Sequence, residues 1–325
     1  MPTRKATRSA FNLRTNKSLA SRARIRQIRL VVDQNSNVEG SLPVAASRPA
    51  GSLLTFFLLT YALMWACFIT VAAIEIPANT LLGGGLLLLG TFAPSVMALL
   101  LTAKAEGKAG VEALLSRISR WQVGAKWYVF AAGYTVAVKL ALALIHRLAT
   151  GAWPRFGHEA WYIIVVAIIF STPIQAGEEV GWRGYALPRL TARFGLVRAS
   201  LLLGVIWGCW HLPQFFVREA DTYGQSFLVF VLQVTALSVA MAWLYARTNG
   251  SLLLTMLLHA AVNNSKDIVP SAVPGAMNRF GLSASLVAWL TVAVLWICAA
   301  YFLTQMPKLE SQLLNDAQLE RYGRS

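Results

Sequence analysis

Two adjacent carboxylates stand in Gly177-Glu178-Glu179-Val180-Gly181-Trp182-Arg183, directly after the apolar run 163–174. Acids at such a depth cost free energy, so residues of this kind inside an apolar run point to function. Glu179 and Arg183 are four apart and share one helical face, where an ion pair can form. Glu178 points about 100° away on the same helix and has no such neighbour. A carboxylate left over in an apolar setting suits a general base that takes a proton from water. Two more polar groups lie in later runs. Trp207-Gly208-Cys209-Trp210-His211-Leu212-Pro213 ends one of them, and His259-Ala260-Ala261-Val262-Asn263-Asn264 lies in another. His259 and Asn263, again four apart, face one side and offer two donors to a developing oxyanion. Lys139 is a further charge inside a run, and its long stem suits snorkelling towards the interface.

These groups need elements that bring them together. Beyond Pro49, runs near the ~20 residues that span a bilayer recur at 52–74, 80–103, 127–146, 160–176, 197–216, 226–246, 252–264 and 283–305. The fourth is expected to continue as one helix to about Leu187. The runs are continuous rather than alternating, which selects helices over a barrel. The expected fold is all-α: a polytopic membrane bundle of about eight helices. Counting the rise per residue from the inner ends puts Glu178 ~14 Å, His259 ~11 Å and His211 ~21 Å deep, so three separated spans converge inside the bilayer, nearer its inner side.

Composition agrees. Of 325 residues, 56% are hydrophobic and 13% charged, with a mean hydropathy of +0.54. A soluble domain carries about 25% charge, so a single soluble enzyme and intrinsic disorder are both excluded. The net charge of +15 and pI near 10.2 raise the question of nucleic acid. Ten basic against two acidic residues fall within 1–48, however, and most of the rest occupy short loops, the pattern of cytoplasmic loops. A lipid bilayer is therefore the expected partner, and nucleic acid is not. With the tail inside, Lys104, Lys108, Arg117, Arg120, Lys126, Arg189, Arg193, Arg198, Arg247, Lys308, Arg321 and Arg324 are also inside, while Arg147, Arg155, Arg218, Lys266 and Arg279 are outside. Both termini are then cytoplasmic. Residues 1–48 read as a disordered basic tail drawn to anionic lipid, with an organelle transit peptide as the alternative. A membrane domain covers 49–306 and a short cytoplasmic tail 307–325. Cys67, Cys209 and Cys298 sit singly in apolar runs and suggest neither disulfides nor a cysteine metal site.

Together these motifs resemble the CPBP intramembrane proteases, the family of type II CAAX prenyl endopeptidases and bacteriocin-processing or immunity-linked proteins. Its Glu-Glu-x-x-x-Arg is matched by Glu178, Glu179 and Arg183. Its Phe-x-x-x-His is matched by Trp207-x-x-x-His211, with tryptophan for phenylalanine, and its His-x-x-x-Asn/Asp by His259 and Asn263. The resemblance covers roughly 160–265. It implies an endopeptidase acting on a membrane-embedded or lipidated peptide or protein: Glu178 and His211 activate water, His259 and Asn263 hold the oxyanion, Glu179 and Arg183 support the site. Its metalloprotease variant implies a zinc ion on Glu178, His211 and His259; without an HExxH motif, the metal-free site is the preferred reading. The implied location is the plasma membrane of a bacterium, with the site opening towards the cytoplasm. Two other classes stay open: a proton-coupled transporter using the same ionisable residues as a relay, and a non-catalytic immunity or scaffold protein binding a partner in the bundle.

Overall fold

The computed structural model describes the backbone of residues 50–322 and the side chains of 53–309. The basic segment 1–48 lies outside the described residues. Among the described residues there is no strand, and ten α-helices follow one another. They are α1 (Ala50–Ile74), α2 (Leu81–Thr91), α3 (Ala93–Leu115), α4 (Ala125–Thr150), α5 (Trp161–Ser171), α6 (Ala176–Glu179), α7 (Leu187–Trp210), α8 (Phe227–Arg247), α9 (Leu252–Ser265) and α10 (Leu286–Tyr322). The chain is an integral membrane helical bundle.

The helices are cut differently from the apolar runs. Among the described residues, five stretches are long and apolar enough to cross a bilayer: Leu53–Ile74, Ala125–Thr150, Pro173–Phe216, Phe227–Arg247 and Leu286–Leu309. A sixth is reached if α2 and α3, bent by 53° at Phe92, count as one span. The helices of the fourth and seventh expected spans, α5 and α9, have 11 and 14 residues and fall short of one. The expected single helix from 160 to 187 is also broken. Pro173 cannot donate into a continuing helix, so α5 stops and a 3-10 turn, Pro173–Gln175, leads into the single turn of α6. A π-helix, Val180–Ala186, follows, with the Leu187 N–H bonded to the Trp182 carbonyl five residues back. At its other extreme, α10 runs through Pro307 to Tyr322, well past the expected start of a tail at 307.

Glycine sets the closest approaches. Gly195, at φ 75°, interrupts α7 so that the chain doubles back. Without that turn, residues 178 and 207 would stand about 43 Å apart along one helix; instead their side chains touch. Gly204 of α7 lies against α8, where a β-carbon would come within 2.7 Å of the Thr235 Cα. Gly181 of the π-helix lies against α3, where a β-carbon would come within 2.5 Å of the Pro94 carbonyl. Beneath this contact Phe56, Trp182 and Trp210, all fully buried, pack edge to face at 5.7 and 5.6 Å between centroids.

Antiparallel helices give this bundle two ends, each joined by its own hydrogen bonds. At one, Gly157 N–H bonds the Ile268 carbonyl and Phe227 N–H the Arg279 carbonyl, while Glu75 pairs with Arg218 at 2.7 Å and Lys266 with Asp221. At the other, Leu252 N–H bonds the Arg117 carbonyl, Ser251 Oγ donates to the Arg120 carbonyl and Arg189 pairs with Glu106 at 3.1 Å. Lys139 is buried and donates to the Val269 carbonyl at 3.0 Å, so it stays inside the bundle rather than snorkelling out.

Candidate active site

Glu179 and Arg183 meet as their spacing predicts. The Arg183 guanidinium donates to Glu179 Oε1 at 2.8 Å, and both side chains are completely buried. The same carboxylate oxygen accepts from His259 Nδ1 at 2.9 Å, so the pair ties the π-helix to α9. The guanidinium also lies over the Trp207 ring, 4.2 Å from its centroid, which gives its face a cation–π partner.

Glu178 is not the unpartnered carboxylate that a regular helix leaves. Trp207 Nε1 donates to its Oε2 at 2.7 Å, within the range of charge-assisted bonds. Glu178 is 6% exposed, which leaves it within reach of the space in front of it. His211 caps the C-terminus of α7, where Pro213 stops the helix, and its Nδ1 lies 2.7 Å from the Trp207 carbonyl. The partner of each imidazole is an acceptor only, a carbonyl for His211 and a carboxylate for His259. Each Nδ1 must therefore carry the hydrogen, leaving Nε2 of both rings available for chemistry.

A cavity of about 900 Å³ connects these groups. Glu178, His211, His259 and Asn263 all line it, together with Trp207 and Gln175. Asn263 is exposed, and its amide nitrogen lies 3.4 Å from Gln175 Oε1. Gln175 is absent from the sequence reading. The signal for it was available, since a lone amide at the end of an apolar run, three residues before Glu178, is polar for a reason. Asn264 turns elsewhere, donating to Ser171 Oγ and the Ala260 carbonyl, both at 2.8 Å.

Phe215, Val229, Phe230 and Leu237 supply apolar walls. Further lining comes from loop residues 217–226 and 266–285 and from Ala78, at the end bearing Arg218, Lys266 and Arg279. No residue of 104–126, 187–198 or 247–252 lines it. The depth expectation, nearer the other end, is thus reversed. Since the same charge reading puts Arg218, Lys266 and Arg279 outside, an inward opening and cytoplasmic termini do not fit together.

A zinc ion needs three or four donors gathered around one point. Among the described residues no three His, Cys, Asp or Glu side chains form a group able to hold a metal ion. Trp207 anchors Glu178 through its indole N–H and His211 through its carbonyl, and Glu179 anchors His259; the chemistry of the site is derived from these side chains alone.

Residues 157–265 match the model of a family described as type II CAAX prenyl endopeptidase Rce1-like. This segment is similar to that family. The match contains Gln175, Glu178, Glu179, Arg183, Trp207, His211, His259 and Asn263. Over 98 residues the chain is 32% identical to the "CAAX prenyl protease 2" of Methanococcus maripaludis, an alignment covering 28% of this chain and 36% of that protein. The chain thus aligns with little more than a third of the length of that relative. Within the Rce1-like segment lie α5 to α9, the elements that carry the buried ion pair and both imidazoles; α1 to α4 and α10 pack around it from outside the match.

Proposed function

We propose that the chain is an intramembrane endopeptidase of the CAAX-protease type. Its substrate is a membrane-associated or lipidated protein or peptide, and a plasma-membrane location belongs to the same reading. The observation that carries it is the convergence of Glu178, His211, His259 and Asn263 on one cavity within an apolar bundle. In this reading Glu178 is the general base. Trp207 holds Oε2, and the other oxygen takes a proton from a water molecule that hydrogen-bonds His211 Nε2. The hydroxyl oxygen adds to the scissile carbonyl. The oxyanion is met by the Asn263 amide and by the imidazolium form of His259, which donates from Nε2 while its Nδ1–H bonds Glu179. Collapse of the tetrahedral intermediate breaks the C–N bond, and the proton held by Glu178 passes to the departing amine. Glu179 and Arg183 orient His259 without touching the substrate.

Wild-type and Glu178→Ala membranes, compared for shifted C-termini across the membrane proteome, test the reading. The variant is expected to lose cleavage by about 10²-fold or more while eluting in detergent as a folded protein. Equal cleavage by both overturns it. Cell protection retained by Glu178→Ala, with no cleavage by the wild type, assigns the site to a binding role instead.

A further inference from the structure

The break at Pro173 reaches further than the end of a helix. In a continuing α-helix the Ser171 carbonyl would accept from the Gln175 N–H, four residues on. Past Pro173 the turn is tighter, and that N–H bonds the Thr172 carbonyl at 3.2 Å instead. The Gln175 side chain takes its place, with Nε2 donating to the Ser171 carbonyl at 3.3 Å. A carbonyl only accepts, so the amide nitrogen of Gln175 must face Ser171 and its oxygen must face away. On that far side Oε1 meets Asn263 Nδ2 at 3.4 Å. Gln175 is buried, and an amide in such a place is costly unless both its ends are bonded. These two contacts meet that demand.

The Asn263 amide has a donating and an accepting side, and a half turn about its last side-chain bond exchanges them. That torsion is broad and roughly two-fold, so the backbone of α9 does not choose between them. The choice decides the chemistry. An N–H stabilises a developing oxyanion, whereas a carbonyl oxygen in the same place repels it. Among the described residues, Gln175 Oε1 is the one hydrogen-bond partner of the Asn263 side chain, and as an acceptor it admits Nδ2 alone. One N–H of Asn263 is then spent on Gln175, and the second is left for the cavity that both residues line. At 3.4 Å the contact is long, as hydrogen bonds in a substrate-free site often are before they tighten. Asn264 is held by the same helix end, donating to Ser171 Oγ at 2.8 Å.

We propose that Gln175 is a positioning residue, which fixes the Asn263 amide with an N–H towards the reacting carbonyl. The inference rests on the proposed function and adds to it a residue outside all three sequence motifs. A glutamine that merely satisfied the Ser171 carbonyl would be needed equally with Asn263 present or absent. A glutamine acting through Asn263 is needed only while Asn263 is there.

A double-mutant cycle separates the two roles. Its readout is the initial rate at which C-termini shifted by wild-type membranes, and not by Glu178→Ala membranes, appear. Asn263→Ala removes an oxyanion donor and is expected to slow that rate about 10²-fold or more, so it is followed over longer times. Gln175→Leu is expected to slow it about 3- to 10-fold, the bias that one neutral hydrogen bond supplies. In the Asn263→Ala background, Gln175→Leu is expected to leave the rate unchanged. Gln175→Met repeats both arms if the leucine variant does not elute folded in detergent. Equal losses in the two backgrounds overturn the inference, and so does an unchanged rate for Gln175→Leu alone. A wild-type rate for Asn263→Ala overturns it too, since nothing is then left to position. Absence of any Glu178-dependent shift overturns the proteolytic reading itself, a result distinct from each of these.

Discussion

Replacing Trp207 by phenylalanine keeps an aromatic ring beside Arg183 and removes the N–H that Glu178 accepts. A hydrogen bond to a charged group contributes roughly 1.5–3 kcal/mol. If that bond holds the base in place, Trp207→Phe lowers kcat about 10- to 100-fold with little change in KM, which steady-state kinetics on a peptide substrate would read. Arg183→Ala acts on stability instead, because it leaves Glu179 buried beside His259 without its cation. Breaking a buried pair costs about 3–5 kcal/mol, expected as a clear fall in the unfolding midpoint in detergent. Much of this was legible at the level of single residues. The four-residue spacings of Glu179 with Arg183 and of His259 with Asn263 gave a buried pair and two cavity-lining groups. The partner of Glu178 was not legible, because a residue 29 positions away reaches it only after the chain turns at Gly195, and no local spacing records that turn.

Elements were harder to read than residues, for a physical reason. Hydropathy measures which segments tolerate lipid, while helix ends are set by proline, glycine and close backbone contact. The run 160–176 is apolar throughout, yet its helix ends at Ser171 because Pro173 follows. The seventh run gives only 14 helical residues and serves the site rather than a full crossing. The π-helix is a case of the same kind, since Gly181 and Gly184 let the segment lie against α3, and only the fold shows why. Gly181→Ala puts a methyl group against the Pro94 carbonyl, which has no rotamer to yield. Overpacking of this sort costs about 1–3 kcal/mol. The expected outcome is a lower thermal midpoint together with lost cleavage, because Glu178 and Glu179 sit one turn away. Gly204→Ala, between α7 and α8, is expected to lower the midpoint to a similar degree, with circular dichroism in detergent as the check.

For the molecule as a whole, the described helices and loops carry a charge bias of their own, with Lys104, Lys108, Arg117, Arg120 and Lys126 in one connected stretch. Deleting residues 1–49 is therefore expected to leave the membrane orientation unchanged, read as the same accessibility of Ser119→Cys to an impermeant maleimide in intact cells with and without the segment, although ten basic side chains are lost with it. A reversed pattern in the truncated chain would assign the orienting role to the segment. The membrane class and the helical architecture were readable from composition alone. The end of the bundle at which the cavity opens was not, because loop charges cannot say which end the site lies near. The loops over the cavity are also joined to each other by the backbone and by side chains. Gln225 exchanges two hydrogen bonds with Val273, at 3.0 and 3.1 Å; Asn278 N–H bonds the Gly224 carbonyl at 2.9 Å, and Ser226 Oγ donates to the Gly281 carbonyl at 2.6 Å. Pro274 and Gly275 stand exposed between these ties. The covalent link there is thus dispensable in principle: the polypeptide made as two separate pieces, split after Pro274 and co-expressed, has the seams on both sides of the break to reassemble by.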